Sequence, residues 1–474
     1  MELRILWLTI LLPSMVFGQN QLSREQVLAD YQILKNVLTE GYPSLFTYTS
    51  PSAWDSLFAD FERNKIPSIQ SNDDLYKSIA ELSDHVRDGH LIIMRPQLDS
   101  IPNLFPLLLK IIDGNLYTDT DDFEIPLGSE IISIDGVSAI ELRKSLMKYA
   151  PADGFNTSRK DRQLEREFGI LHFYEFGAKS TYKIVYKTPL GQLLTKEVQS
   201  QAFESIGRRF AHRNSLKTKK AWGKKEPHLY FIDSLNTAVL IINTFNLGVE
   251  SFQSALKEIF KEIKREKAKN LIIDIRQNEG GYPLNAINTF SFIADNTFKQ
   301  IASSEVMCST LPEKAYSQNL VNGYTYESFF EKYYQHAERV ENRWVLRTDE
   351  NEAFMVPNKK RFAGKVYVMI GGNTFSAGSS FALFCKNEGI SLIGEETGGG
   401  YYTQTGGYPI IYTLPNSKIK VLISFVKINR FVKDKAFEKG HGILPDTEIR
   451  LTVQDLMEKR DSQLEFVLDQ IRNE

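Results

Sequence analysis

The chain has 474 residues, 42% of them hydrophobic and 24% charged, which is the make-up of a soluble globular protein of two or three domains and excludes a disordered chain. A formal net charge of -2 supplies no whole-chain field that would draw in nucleic acid or an acidic membrane. Only Cys308 and Cys385 are present, too few for a disulfide framework and not spaced for a metal.

Arg4, the apolar run Ile5 to Phe17, and Val16-Phe17-Gly18 ahead of polar Gln19-Asn20-Gln21 have the form of a signal peptide over residues 1–18. The run is short for a permanent anchor, so no integral membrane span is expected after cleavage. The mature chain is expected to be exported, to the periplasm or the extracellular space. Residues 19–94 repeat apolar side chains at intervals of three and four, as in Val27, Tyr31, Leu34 and Leu38, which predicts a helical N-terminal domain. Residues 95–205 turn to short β-like runs, among them Leu107 to Ile112 and Thr181 to Tyr186. Within them, Gly128 to Gly136 reads as a strand ending in an Asp-Gly turn, followed by a helix over Ile140 to Tyr149. Residues 206–233 are basic, with Arg208, Arg209, Arg213 and Lys217 leading the run. Lacking interleaved aromatic residues, this stretch is expected to be a solvated linker and not a nucleic-acid surface. Residues 234–474 alternate: strand Ala238 to Ile242, amphipathic helix Ser251 to Lys267, buried strands Leu271 to Ile275 and Lys365 to Ile370, and a helix from about Ser376. That order predicts an α/β core.

The sequence has no G-x-x-x-x-G-K-[ST] loop, no H-E-x-x-H and no G-x-S-x-G elbow. Three other segments can carry chemistry. Asn373-Thr-Phe-Ser-Ala-Gly-Ser379 joins a buried strand to a helix, so Ser376 is placed at the positive helix end beside an exposed backbone N–H. Taken singly, a Ser at a helix start is most often only a cap. Asp274-Ile-Arg-Gln-Asn-Glu-Gly-Gly281 runs from a strand into a glycine turn able to point N–H groups at an anion. Arg87-Asp-Gly-His90 offers an imidazole, which titrates near neutral pH and suits a general base.

Together, D-G-H, D-x-R-x-N-x-G-G, T-x-S-A and the later G-x-x-T-G-G-G resemble the carboxyl-terminal processing (tail-specific) serine peptidases. The branch they resemble includes the tricorn core protease and interphotoreceptor retinoid-binding protein. The resemblance implies a crotonase-like α/β peptidase core (a ββα superhelix) at 234–474. Before it would come a helical N-terminal domain and, over 95–205, a β-rich domain whose strand, Asp-Gly turn and helix are similar to the second half of a PDZ domain. Such domains bind peptides by strand addition. It also implies a peptide or protein substrate and no metal or organic cofactor.

Two catalytic arrangements occur in this family. A Ser-Lys dyad needs Lys in a T-x-G-K-G stretch, where this chain has Thr397-Gly-Gly-Gly400-Tyr401; no Lys lies between Lys386 and Lys418. The tricorn-like arrangement uses a His from the earlier segment, and His90 matches it. The resemblance then gives Ser376 as nucleophile, His90 as base, and the N–H groups of Gly281 and Ala377 as the oxyanion hole. Glu438, just before Gly442-Ile-Leu-Pro-Asp446, is taken as the residue orienting His90, with Asp88 and Glu395 as competitors. Two departures are plain: Gly89 stands where relatives carry a Ser, and Ser379 where many carry Glu. A non-hydrolysing binder of peptides or small hydrophobic ligands is the alternative reading.

Overall fold

A computed structural model describes residues 21–96, 98, 100–217, 223–319, 323–347 and 354–473; the expected signal peptide lies outside them. No helix among the described residues is long and apolar enough to cross a membrane.

The chain opens with α1 (Arg24–Asn36), α2 (Pro51–Asp60) and α3 (Asn72–Asp84), each started by a serine whose hydroxyl accepts a first-turn N–H: Ser23, Ser50 and Ser71. These helices do not close a core of their own. Val27, Leu38, Trp54 and Ile79 pack in one cluster with Ile410, Tyr412 and Phe425 of the C-terminal half. Three short helices cannot bury enough apolar surface alone, so they use a sheet built elsewhere. Strand β1 (Ile92–Ile93) follows directly after His90.

Next comes a β-rich unit with β2 (Leu109–Ile112), β3 (Asn115–Thr118), β4 (Glu130–Ile134), β5 (Val137–Ser138), α4 (Ala139–Leu146), α5 (Ser158–Phe176), β6 (Thr181–Lys187) and β7 (Leu193–Gln199). The sheet is antiparallel in the order β2-β3-β4-β6-β7, with β5 paired to β4. Asp135 and Gly136 both take positive φ, the requirement of the tight hairpin turn between β4 and β5. Leu142, Leu164 and Phe168 of α4 and α5 cover one face of the sheet.

The basic stretch departs from expectation. Its first half is α6 (Phe203–Lys217), docked on the β-rich unit. Arg209 donates to Asp122 Oδ2 at 2.5 Å and Pro106 O at 2.6 Å; Arg213, only 5% exposed, donates to the carbonyl and carboxylate of Asp119. Carboxylates remote in sequence took up charges that composition alone assigned to solvent. Residues 218–222 lie outside the described residues.

The core follows as β8 (His228–Ile232), β9 (Thr237–Ile241), α7 (Val249–Arg265), β10 (Asn270–Asp274), α8 (Pro283–Ser291), β11 (Ile301–Val306), α9 (Tyr326–Tyr333), β12 (Glu338–Val340), β13 (Arg343–Arg347), β14 (Lys365–Ile370), α10 (Ala377–Asn387), β15 (Ser391–Gly394), β16 (Thr403–Thr413), β17 (Lys420–Arg430), β18 (Thr447–Glu448), α11 (Val453–Glu458) and α12 (Ser462–Arg472). One sheet runs β18-β15-β14-β10-β9-β8, parallel except at β8. Its strands are apolar on both faces, as a doubly covered parallel sheet requires. Leu271, Ile273 and Val368 meet α7, α8 and α10, while Ile272, Tyr367 and Met369 meet Val467 and Ile471 of α12. The other sheet, β1-β17-β11-β13-β12 with β16 on β17, carries β1 antiparallel on β17, Ile92 opposite Leu422. That pairing brings His90 to the core. The whole is a mixed α/β fold.

Candidate active site

The D-x-R-x-N-x-G-G segment leaves the end of β10, and each polar residue has a partner. Arg276 pairs with Asp274 and with Asp461, pinning the turn to the C-terminal segment. Asn278, with no exposure, donates to Ile242 O at 3.0 Å and accepts the Gly280 N–H at 2.9 Å, while its carbonyl accepts the Phe375 N–H at 3.0 Å. One side chain and its carbonyl thus tie the glycine turn to the neighbouring serine turn. Gly280 and Gly281 take φ of 101° and 134°, where a side chain is strained. A Cβ on Gly280 would stand 2.9 Å from the Ala377 nitrogen, which measures how closely the two turns meet.

Ser376 lies between β14 and α10. From Gly371 to Cys385 it alone is not buried. Its φ of 52° and ψ of -120° are rarely adopted by a residue with a side chain and hold roughly 1–3 kcal/mol of strain. The hydroxyl does not cap the helix; it meets His90 Nε2 at 3.2 Å, across 286 residues of sequence. The N–H groups of Gly281 and Ala377 have no acceptor among the described residues.

His90 stacks on Phe375, ring centroids 4.5 Å apart, and the guanidinium of Arg159 covers the Phe375 ring at 3.8 Å. Enclosure pushes His90 down to about 4; the Asp88 charge opposes this, and Arg159 and Arg430 reinforce it. A neutral imidazole at physiological pH is the form a general base requires. The Phe375 ring also accounts for Gly89, because a Cβ there would come within 2.6 Å of it; the serine of the relatives has no room. Position 400 is likewise closed to lysine, since a Cβ would meet Thr403 O at 2.6 Å.

Glu438 is not brought to His90. Its carboxylate is 83% exposed and faces His441 at 3.7 Å. The strand-following loop that carries it lies over the Thr397–Gly400 turn, held by Glu396 to Gly442, so the exposed carboxylate ends up outside the cleft. Glu395, the other competitor, faces Arg162. The carboxylate beside the imidazole is Asp88, whose Oδ1 lies 3.9 Å from Nδ1. Two further residues escaped sequence reasoning. Asp153, in an unremarkable turn, accepts the N–H groups of Gly89 at 2.7 Å and Gly400 at 2.8 Å. Arg430, 3% exposed at the end of β17, donates to the carbonyls of Ser376 and Gly400 and to Ser379 Oγ at 2.7 Å. Ser379 thereby bridges Arg430 and the Ser376 carbonyl.

A separate cavity of about 260 Å³ opens at the carboxyl ends of β9, β10 and β14, but neither Ser376 nor His90 lines it.

Residues 236–449 match Peptidase family S41. Over that stretch, a little under half of the chain, the core is similar to peptidase family S41. The protein is accordingly a serine-type peptidase, a hydrolase. Among solved structures, the chain resembles mature CPAF complexed with lactacystin (TM-score 0.66, 16% identity, 95% of this chain and 99% of that one). Mature CPAF alone gives a TM-score of 0.65 at 16% identity, over 95% and 98%. At that identity the likeness shows a shared fold, extending beyond the S41 core to nearly the whole chain. No curated protein matches in sequence.

Proposed function

We propose that this S41 peptidase is exported and hydrolyses peptide bonds through an acyl-enzyme on Ser376, with His90 as general base. The observation that carries the reading is the 3.2 Å approach of His90 Nε2 to Ser376 Oγ. In this reading Nε2 takes the hydroxyl proton as Oγ bonds to the peptide carbonyl carbon. The carbonyl oxygen, now negative, receives the N–H groups of Gly281 and Ala377, each worth about 3 kcal/mol in barrier terms. His90 returns the proton to the leaving amine, and water then hydrolyses the ester by the same route. The 234–474 core would be crotonase-like and the 95–205 unit a PDZ-like module that presents an extended peptide. A non-hydrolysing binder is not favoured, because a strained serine aimed at a neutral imidazole has no use in mere binding.

A fluorophosphonate probe tests this directly. Wild type should be labelled and Ser376→Ala should not; equal labelling of both would overturn the nucleophile. For export, the N-terminus of protein recovered from the periplasm or medium should fall near Gln19.

A further inference from the structure

We infer that Asp88 and Asp153 act as one buried carboxylate pair that positions His90 and sets its basicity from the Nδ1 side. The inference rests on the Ser376–His90 reading above and supplies the third member that Glu438 does not.

Both carboxylates are almost fully buried, Asp88 at 8% and Asp153 at 3% exposure. One oxygen from each lies with a ring nitrogen of His90 in a group whose members are all within 4.8 Å of one another. Asp88 Oδ1 accepts the backbone N–H of His90 at 2.8 Å and the Thr405 hydroxyl at 2.9 Å, and lies 3.9 Å from Nδ1. Nδ1 itself is buried and has no hydrogen-bond partner. Asp153 holds the adjacent Gly89 N–H with one oxygen and Gly400 N–H with the other. Each acid therefore grips a backbone N–H of the D-G-H element, and Asp153 also ties that element to the turn beyond α10. Asp88 Oδ1 already takes two donors and each Asp153 oxygen takes one, which suits an acid pair bound to backbone and hydroxyl donors better than a metal cage.

Two carboxylates this close in a dry setting do not both ionise easily. Burial and the charge of Asp88 push Asp153 up to about 7. As pH rises through that value, Asp153 adds its charge to the pair. The facing groups are Arg430 from β17, Arg159 from α5, Tyr42 and Tyr48 from the loop after α1, and His90 itself. The single charge on Asp88 favours the proton on Nδ1, leaving the Nε2 lone pair toward Ser376, and it stabilises the imidazolium formed during attack. The second charge makes Nε2 more basic. Both acids act through His90 and are positioning residues.

The test has an activity arm and an arm that needs no turnover. In peptide hydrolysis followed from about pH 4 to about pH 9, wild-type kcat/KM should rise about tenfold through neutrality, and Asp153→Asn should lack that step. Asp88→Asn should lower kcat about 100- to 1,000-fold with KM within about threefold, and circular dichroism melts should show it folded. In the Ser376→Ala protein, the His90 ring resonances, assigned by His90→Gln among seven histidines, should show a second inflection near neutrality. Asp153→Asn should abolish that inflection, and Asp88→Asn should lower the His90 midpoint. A His90 titration indifferent to both substitutions overturns the pair. If Asp153→Asn does not fold, the inflection in the Ser376→Ala protein decides alone, and its absence overturns the inference. Turnover retained by Ser376→Ala would instead sink the nucleophile reading and leave the resonance arm decisive for this one.

Discussion

On the Ser376 side of the cleft, the supports come from two neighbouring parallel strands and the turns that leave them: Asn278, the Gly280-Gly281 pair, Thr374 and the first turn of α10. On the His90 side, the imidazole is held by a two-residue strand, a ring from the opposite turn, the neighbouring Asp88, and Asp153, which grips Gly89 from 64 residues further along the chain. The first half joins two turns, each a local device encoded by its own short stretch of chain. The second is an assembly that exists only once the N-terminal helices, the loop before α5 and the β16–β17 sheet have come together. Catalysis by such a cleft depends on the weaker half being brought into register with the stronger.

The sharpest break of that comparison is to remove one reacting group from each half. Ser376→Ala and His90→Gln should each lower kcat by about 10,000-fold while leaving the thermal transition near that of wild type, because groups acting as a unit fail together. A variant of either that retained more than a tenth of the wild-type rate would separate the halves. Gly281→Ala should come next. Its φ of 134° disfavours any side chain and its Cβ would stand 2.2 Å from Asn246 N, so the turn must shift and one N–H is lost, lowering kcat about 100- to 1,000-fold. Gly89→Ser attacks the assembled half. The new Cβ presses on Phe375 and should displace His90, lowering kcat about 10- to 100-fold and stability by about 1–3 kcal/mol, read by urea denaturation.

The pH dependence sharpens the contrast without mutation. His90, and His172 in the β-rich unit, are both held down to about 4 against an ordinary 6.5. A depressed native value means the stability contribution is complete above 6.5 and is lost as pH falls toward 4, since the unfolded chain takes up protons first. The two histidines therefore lower the melting temperature across that window, against the opposite pull of Asp153, and His90→Gln should remove part of the histidine contribution. The acid limb of kcat/KM should likewise lie below the value of an ordinary histidine. The smallest effect belongs to Glu438→Gln, which should leave kcat within about twofold, because its exposed carboxylate faces His441 and not the cleft.

How much was legible beforehand follows the same division. The α/β order of the core, its buried strands and the helix after Ser376 were readable, because a parallel sheet covered on both faces leaves unbroken apolar runs and an amphipathic helix leaves a 3.6-residue period. The hairpin at Asp135-Gly136 was readable because its backbone needs those residues. The basic stretch was not: Arg209 and Arg213 look like surface charge until Asp119 and Asp122 are placed beside them. Asp153 and Arg430 gave no signal at all, one lying in an ordinary turn and the other at the end of an alternating strand.

What the sequence determined by itself, then, is the likeness of the core to a peptidase family and the placing of Ser376 on a strand-to-helix turn, because that strand and helix start are specified by residues adjacent in the chain. What only the tertiary structure decided is the company of His90. The carboxylate preferred on spacing, Glu438, finished in solvent; Asp88, which had stood only as its competitor, and Asp153, which gave no signal, finished beside the imidazole. Hydrogen bonds between distant segments form wherever the packed core leaves two groups facing each other, and that placement is a property of the folded whole.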